Sequence, residues 1–292
     1  MGSLLMHKSR HRMRKAWHAI SQSKKAMIGV AMIILLLLVA FFAPVIATYE
    51  VDQMNTGRPL STPQKGHVMG TDNYGRDVSS RVIMGTRVSL RIAATVALLS
   101  ILIGVPLGVI SGYKTNKLSS LIMRLVDVML CFPWVMVALC VAALMGGGEK
   151  VITISLVFAY VPTFVRLMHG VVLSVREQEY VGAARVTGEK PSAVVLRYIL
   201  PNCVAPLIVE ATLVMSFVIL DEAAISYLGV GIQPPTPSWG VMLNEGAQFI
   251  WNSPHLAIFP GIAIAFTVLS INLFGDGLRD ILDPRYMGGL RE

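Results

Sequence analysis

The sequence predicts an all-α integral membrane protein with six transmembrane helices and both termini in the cytoplasm. Hydrophobic residues make up 54% of the 292 residues and charged residues only 14%, whereas soluble proteins carry about 25% charged residues. Long apolar runs recur along the chain, and Lys and Arg are concentrated in alternate connecting segments. This placement explains the net charge of +8 better than nucleic-acid binding does, because the basic residues are not clustered with aromatic residues on a polar domain.

The N-terminal region predicts a cytoplasmic tail followed by a membrane anchor that is retained. Residues 1–25 carry seven Lys and Arg residues and no acidic residue. Residues 26–49 are uncharged and mostly apolar, which is longer than the roughly 7–15 apolar residues of a signal-peptide core. We therefore expect residues 26–49 to form the first transmembrane helix, with the basic tail inside.

Residues 50–87 predict an extracytoplasmic segment, because Gly, Pro and Asn residues that favour turns are frequent there. Residues 70–77 have the glycine spacing of a phosphate-binding loop. However, Arg76 and Asp77 stand where that loop requires Lys and Ser or Thr, so we exclude phosphate binding. We interpret Asp77 as the N-cap of a helix that starts at Val78.

Residues 88–282 are expected to form the core membrane domain, followed by a cytoplasmic tail over residues 283–292. The apolar runs predict five further spans, and Pro133 predicts a kink in the third span of the chain. With this layout, 18 of the 25 Lys and Arg residues lie inside, as expected for the cytoplasmic side. The five spans cover approximately residues 92–113, 128–148, 151 to beyond 170, 203–230 and 257–275.

The polar stretch between the fourth and fifth spans, residues 176–201, is placed in the cytoplasm by the same charge distribution. Residues 179–187 indicate a short helix of small residues, which Gly188 ends. An amphipathic piece over residues 193–200 then leads to Pro201. A loop of this length suggests a docking surface for another protein.

Two interpretations of this stretch stay open. In the first, the small residues Gly182, Ala183 and Ala184 allow another protein to approach the backbone closely. In the second, the stretch is an ordinary cytoplasmic loop whose amphipathic helix lies on the lipid headgroups.

The spacing of Ala183-Ala184, Gly188 and Leu200-Pro201 resembles the EAA loop of ABC importer permeases. In that family the loop forms a coupling helix that sits in a groove of the ATP-binding subunit. The resemblance implies that this chain docks onto an ATPase through residues of this loop. Those residues are Glu179, Tyr180, Gly182, Ala183, Ala184, Arg185, Gly188, Leu200 and Pro201.

Three other stretches are similar to the second, C-type subunit of the dipeptide, oligopeptide and nickel permeases. They are residues 70–90, 222–240 and 272–285, and the whole resemblance covers roughly residues 26–286. It implies the transmembrane domain of a type I ABC importer, in the cytoplasmic membrane of a bacterium or archaeon.

The same resemblance implies a set of partners: a related permease subunit, two ATP-binding subunits and an extracytoplasmic binding protein that delivers the substrate. ATP and Mg²⁺ would be held by the ATP-binding subunits, and this chain would bind no cofactor. Members of the family transport dipeptides, longer peptides, nickel or metallophore complexes, and some glycosides. We expect di- and oligopeptides first, with the other substrates as open alternatives.

Three carboxylates in the fifth apolar run, Glu210, Asp221 and Glu222, are candidates for the translocation pathway, because ionisable residues inside a membrane are costly. Asp221 and Glu222 either line the outer mouth and meet a cationic or peptide substrate, or lie at the outer interface and cap a helix break. Glu210 either has a functional role or pairs with an Arg of the partner subunit.

A different class of function is an ion-coupled secondary carrier, in which these carboxylates relay protons. A membrane enzyme is disfavoured, because the sequence offers no nucleophile with a base, and no metal-ligand cluster, at a plausible membrane face.

Two expectations concern packing. Cys131, Cys140 and Cys203 lie in or beside apolar runs and are interpreted as packing residues. Trp239 and Trp251 are expected to anchor the protein at the membrane interface.

Overall fold

The structure is a computed structural model that describes residues 23–282 except Thr115, and the regular structure of this part is helical. The predicted tails therefore lie outside the described residues, apart from residues 23–25. The helices are α1 (Lys24–Ile46), α2 (Val78–Tyr113), α3 (Lys117–Cys131), α4 (Trp134–Met145), α5 (Glu149–Arg176), α6 (Glu179–Val186), α7 (Pro191–Tyr227, with a π-helical turn at Val195–Ile199), α8 (Trp239–Ala247) and α9 (His255–Leu282).

Five of these helices, α1, α2, α5, α7 and α9, are long and apolar enough to cross a membrane. The α3–α4 pair gives a sixth span if the two bent helices are taken as one. The predicted all-α membrane fold is therefore confirmed.

The first and last membrane helices pack closely through glycines. A Cβ atom on Gly29 of α1 would overlap the backbone nitrogen of Phe274 on α9. A Cβ atom on Gly277 of α9 would lie 2.5 Å from the Cβ atom of Ala26. Glycine at these two positions lets the helix backbones approach closely, which holds α1 against the rest of the bundle.

The α2 helix is longer than the sequence predicted. The Asp77 carboxylate accepts a hydrogen bond from the backbone N–H of Ser80 at 2.8 Å, which confirms the predicted N-cap. From Val78 the helix continues to Tyr113, so the predicted helix start and the predicted span form one 36-residue helix. A helix of this length extends about 54 Å, well beyond a hydrocarbon core of about 30 Å.

The α2–α5 pair forms the centre of the bundle. Gly104, Gly108 and Gly112 recur at four-residue spacing and therefore share one face of α2. A Cβ atom on Gly108 would lie 2.5 Å from that of Met168, and one on Gly112 would lie 2.8 Å from that of Val172. These glycines allow α5 to approach the α2 backbone, as in small-residue helix interfaces of other membrane proteins.

The predicted kink at Pro133 is a complete break. The axes of α3 and α4 meet at 85°, with Phe132 and Pro133 between the two helices. Proline has no backbone N–H and disfavours helical geometry at the residue before it, so the break falls where the sequence places it. Cys131 and Cys140, on these two helices, are exposed, whereas Cys203 is buried. The packing role is therefore wrong for the first two cysteines within the described chain.

An ionic cluster lies at the start of α2, in the loop that resembles a phosphate-binding loop. Arg76 Nε donates to Asp72 Oδ2 at 2.5 Å, and its Nη2 donates to Glu245 of α8 at 3.1 Å. Arg81 Nη2 donates to the same Glu245 at 2.9 Å. Both guanidiniums are almost fully buried, so this loop fastens α8 to the start of α2.

Trp239 does not anchor the protein at the membrane interface, contrary to the prediction. Its side chain is 1% exposed, and its Nε1 donates to the backbone carbonyl of Val82 at 3.1 Å. The indole packs onto Gly85, where an added Cβ would lie 3.0 Å from the ring. Trp251 is 93% exposed, so its interfacial role stays a prediction.

Candidate docking loop and buried carboxylates

The docking loop, residues 176–201, projects from one end of the bundle. It consists of the end of α5, the short helix α6 and the start of α7. Arg176 Nη1 donates to the backbone carbonyl of Gly112 at 3.0 Å, and the Arg185 guanidinium lies 5.3 Å from the centre of the Tyr113 ring. Both contacts connect the loop to the C-terminal end of α2, so the loop and the start of α2 lie at opposite ends of the bundle.

The end of α6 is a Schellman motif. Gly188 has φ +83°, a left-handed conformation that side chains disfavour. Its N–H donates to the carbonyl of Arg185 at 3.1 Å, and the N–H of Glu189 donates to the carbonyl of Ala184 at 3.1 Å. These two bonds satisfy carbonyls at the helix end, which confirms the predicted termination of the helix at Gly188.

One face of α6 packs against its own chain. Val181 is fully buried and Ala184 is 6% exposed. The expectation that Ala184 presents the backbone to another protein is therefore wrong, because its small side chain fits against α5 and α7 of this chain. The buried residues of this cluster are Met168, Val172, Val181, Ala184, Val194, Ile199 and Cys203.

The opposite face of α6 is open. Apart from the neighbouring backbone of α6 itself, no atom of the described residues lies within 4 Å of the position that a Cβ on Gly182 would occupy, and Val186, which the sequence did not indicate, is 89% exposed. Leu200 is half-buried. Seven of the predicted docking residues are exposed, namely Glu179, Tyr180, Gly182, Ala183, Arg185, Gly188 and Pro201.

Polar contacts that the sequence did not indicate hold α6 to the start of α7. The Tyr198 hydroxyl donates to Glu189 Oε1 at 3.0 Å. Asn202 Nδ2 donates to the carbonyl of Tyr198 at 2.6 Å and to the hydroxyl of Tyr180 at 3.3 Å. Sequence spacing could not identify the pairs Tyr198–Glu189 and Asn202–Tyr180, because the turn between α6 and α7 brings them together. They make the loop and the adjacent membrane helix one connected unit.

Asp221 and Glu222 are buried inside the bundle, at 7% and 1% exposure. Tyr160 of α5 donates to Asp221 Oδ2 at 2.5 Å. Glu222 accepts hydrogen bonds from Ser89 of α2 at 3.1 Å and from Ser226 at 2.9 Å. The α7 helix continues to Tyr227, so the interpretation that these carboxylates cap a helix break is wrong.

Glu210 lies three turns before Asp221 on α7 and is half-buried. None of the ion pairs formed within residues 23–282 includes it. The structure thus separates Glu210 from Asp221 and Glu222, whose hydrogen bonds to Tyr160 and Ser89 hold α2, α5 and α7 together.

Comparison with known proteins gives two matches to family models. The model described as binding-protein-dependent transport system inner membrane component matches residues 104–288. The model described as the N-terminal TM domain of oligopeptide transport permease C matches residues 12–63.

Among curated relatives, the chain is similar to the dipeptide transport system permease protein DppC of Alkalihalophilus pseudofirmus, with 38% identity over 272 residues, 93% of this chain and 90% of the relative. It is also 38% identical to the glutathione transport system permease protein GsiD of Escherichia coli, over 93% of this chain and 90% of that protein. Among solved structures, an inward-facing form of the MetNI methionine ABC transporter matches with a TM-score of 0.59 and 17% identity, over 69% of this chain and 96% of that chain.

Proposed function

Because this chain belongs to the family of binding-protein-dependent transport system inner membrane components, we propose that it forms part of the translocation pathway of an ATP-driven importer of di- and oligopeptides. The chain is a multi-pass membrane protein and a transport permease subunit with the fold of a type I ABC importer. The peptide substrate is supported by the relatives, whose names refer to dipeptide, di/tripeptide and glutathione transport.

The proposed coupling mechanism rests on one observation about α6: one face of this helix is packed and the opposite face is open. Its inner face, with Val181 and Ala184, is packed into the chain, whereas its outer face around Gly182 is open. A helix that is packed on one side and open on the other can contact a partner and transmit the partner's displacement to the helices against which it packs. The packing against α5 and α7, and the contact of Arg176 with the end of α2, would carry that displacement into three membrane helices.

The proposed assembly contains a second permease subunit, two ATP-binding subunits and an extracytoplasmic binding protein. The ATP-binding subunits would hold ATP and Mg²⁺ and would contact the open face of α6. Their closure would rotate the helical bundles as rigid bodies between inward-facing and outward-facing states.

The buried carboxylates have different parts in this proposal. Asp221 and Glu222 would keep α2, α5 and α7 moving as one body, because each is hydrogen-bonded to a neighbouring helix. Glu210 remains the candidate for a contact with the second permease subunit or with the pathway between the subunits.

The decisive experiment reconstitutes this chain into proteoliposomes with the products of its neighbouring genes. We expect the binding protein, loaded with peptide, to stimulate ATP hydrolysis and peptide uptake together. Uptake that persists without the ATP-binding subunits and follows an ion gradient would overturn the proposal in favour of a secondary carrier.

The substrate is tested separately by calorimetry on the purified binding protein. Peptides of two to six residues, nickel with and without a metallophore, and glycosides are titrated in turn. Binding of peptides alone supports the proposed substrate, and binding of nickel or a glycoside alone overturns it while leaving the ATP-driven mechanism intact.

A further inference from the structure

A groove runs between α1 and α2 on the surface of the bundle. It has a volume of about 630 Å³ and a mainly apolar lining. Leu37 is 56% exposed and Phe41 is 77% exposed, so the groove opens toward the surroundings of the bundle. The lining residues are Ile34, Leu37, Leu38, Ala40 and Phe41 from α1, with Arg87, Leu90 and Arg91 from α2.

A second, more polar pocket of about 340 Å³ adjoins this groove. Arg87 and Arg91 line both spaces, so the two guanidiniums stand at the boundary between them. The other residues of the second pocket include Asp52 and the proline-rich loop that precedes α8, residues 235–237. The two arginines therefore stand between a mainly apolar groove and a more polar pocket.

The two arginines lie at the level of the lipid headgroups. The charge-free part of α2, residues 92–113, extends about 33 Å, close to the thickness of a hydrocarbon core. Tyr113 at its far end contacts Arg185 of the docking loop. Arg91, and Arg87 one turn beyond it, must then lie at the membrane surface opposite the docking loop, with the apolar groove beneath them.

Of the two arginines at this boundary, one is ion-paired within the described residues and the other is not. Arg91 Nη2 donates to Glu149 Oε2 at 2.7 Å, so its charge is already balanced. Arg87 is exposed and takes part in none of the ion pairs formed within residues 23–282. Asp52 is the acidic residue in the lining of the outer pocket. A guanidinium in this position suits a phosphate oxygen, which it binds with paired, charge-assisted hydrogen bonds.

We propose that this surface is a binding site for one phospholipid of the leaflet opposite the docking loop. The phosphate binds Arg87 with the remaining N–H groups of Arg91, an acyl chain lies in the groove along α1, and the headgroup occupies the outer pocket beside Asp52. The order of apolar, cationic and polar surface matches the order of acyl chain, phosphate and headgroup in a phospholipid. A transmembrane helix of a partner would match the apolar groove but leave Arg87 without an anion.

The proposal is tested on the assembled transporter, purified from nanodiscs that contain phosphatidylglycerol. Native mass spectrometry measures how much phosphatidylglycerol stays bound after detergent exchange. Arg87→Gln is expected to lower retention roughly tenfold, as for the loss of one charge-assisted contact. Arg124→Gln, which removes an exposed arginine elsewhere, is the matched control and should retain the lipid. Equal retention by the Arg87→Gln and wild-type proteins would overturn the proposal.

Two further measurements distinguish the possible occupants. Leu37→Trp fills the groove and leaves Arg87 in place, so it should also reduce lipid retention, whereas excess inorganic phosphate should not displace the lipid. Displacement by inorganic phosphate would show an anion site that needs no acyl chain and would overturn the lipid assignment. Efficient crosslinking of the Leu37→Cys variant to the second permease subunit would also overturn the lipid assignment, because a protein helix would then fill the groove.

Discussion

The Tyr160 hydroxyl donates a hydrogen bond to Asp221 Oδ2, with 2.5 Å between the two oxygens, and this bond joins α5 to α7 inside the membrane bundle. With the bond between Ser89 and Glu222, it connects three helices through adjacent carboxylates. A buried carboxylate that loses its donor is left without a hydrogen-bond partner, so each bond is expected to contribute to stability.

Tyr160→Phe removes this donor with little change in shape. We expect the free energy of unfolding to fall by about 1–3 kcal/mol, because the Asp221 carboxylate remains buried without its partner. The measurement is the unfolding of the purified protein in detergent. Tyr227→Phe is the control, since that tyrosine is 45% exposed and should change stability little. Equal stability of the Tyr160→Phe variant and the wild type would contradict a structural role for Asp221.

Gly108→Ala tests the close packing of α2 on α5. The new Cβ would lie 2.5 Å from that of Met168 and 2.7 Å from the carbonyl oxygen of Val165, so the helices must separate. A loss of about 1–3 kcal/mol is expected, as for overpacked cores. Gly170→Ala on α5 is the control, because in the part of the chain that the structure describes its added Cβ would meet no atom within 4 Å other than the neighbouring backbone of α5. The Gly108→Ala variant should therefore melt at a lower temperature than the Gly170→Ala variant. Similar melting temperatures would contradict the packing argument.

The Gly182→Trp and Ala184→Trp variants should distinguish a defect in docking from a defect in folding. Gly182 faces open space, so the tryptophan should leave stability unchanged but hinder the ATP-binding subunit and reduce stimulated ATP hydrolysis and uptake. Ala184 is buried, so a tryptophan there should destabilise the chain itself. Thermal unfolding and coupled ATP hydrolysis are measured on both. Gly182→Ala is the matched control and should stay active. Normal transport by Gly182→Trp would exclude docking at this face.

Asp77 makes the start of α2 sensitive to acid. Burial raises the pKa of its carboxyl, but hydrogen bonds from Ser79, His67 and Ser80 outweigh burial and hold the pKa below the ordinary value of 3.8. A lowered pKa in the folded state stabilises the fold above the ordinary value, and this contribution disappears as the pH falls through the folded pKa. Protection factors of residues 60–80, which correct the exchange rates for the pH dependence of intrinsic amide exchange, should therefore fall below about pH 4.

The variant Asp77→Asn provides the control for this pH dependence. Its amide cannot ionise, so the protection factors of residues 60–80 should be lower at neutral pH and should not fall further through the titration of this group. The same acid-dependent loss of protection in wild type and variant would assign the effect to another residue.

Local features of the fold could be predicted from the sequence. The Asp77 cap, the end of α6 at Gly188 and the break at Pro133 all depend on the backbone preferences of a few consecutive residues. The apolar runs likewise located the membrane helices, because a helix can satisfy its own backbone hydrogen bonds in lipid. The resemblance of the loop around Ala183 and Gly188 led to the correct family.

The errors concern which side of a helix faces the protein. Trp239 was expected at the membrane interface, Ala184 on a docking face, and Asp221 at a helix break, yet all three are buried against other helices. Their partners are distant in the chain, as with Trp239 and Val82 or Asp221 and Tyr160. In a membrane helix that is apolar all round, periodicity does not distinguish a lipid-facing side from a packed one.

The sequence by itself determined the class, the approximate positions of the membrane helices and the position of the loop, since each follows from local composition, turn chemistry and charge bias. Only the tertiary structure decided that α6 has one packed and one open face, and that Asp221 and Glu222 join helices. It also placed Arg87 at the boundary of an apolar groove. These properties depend on contacts between helices that are far apart in the chain, which close glycine packing and buried hydrogen bonds create.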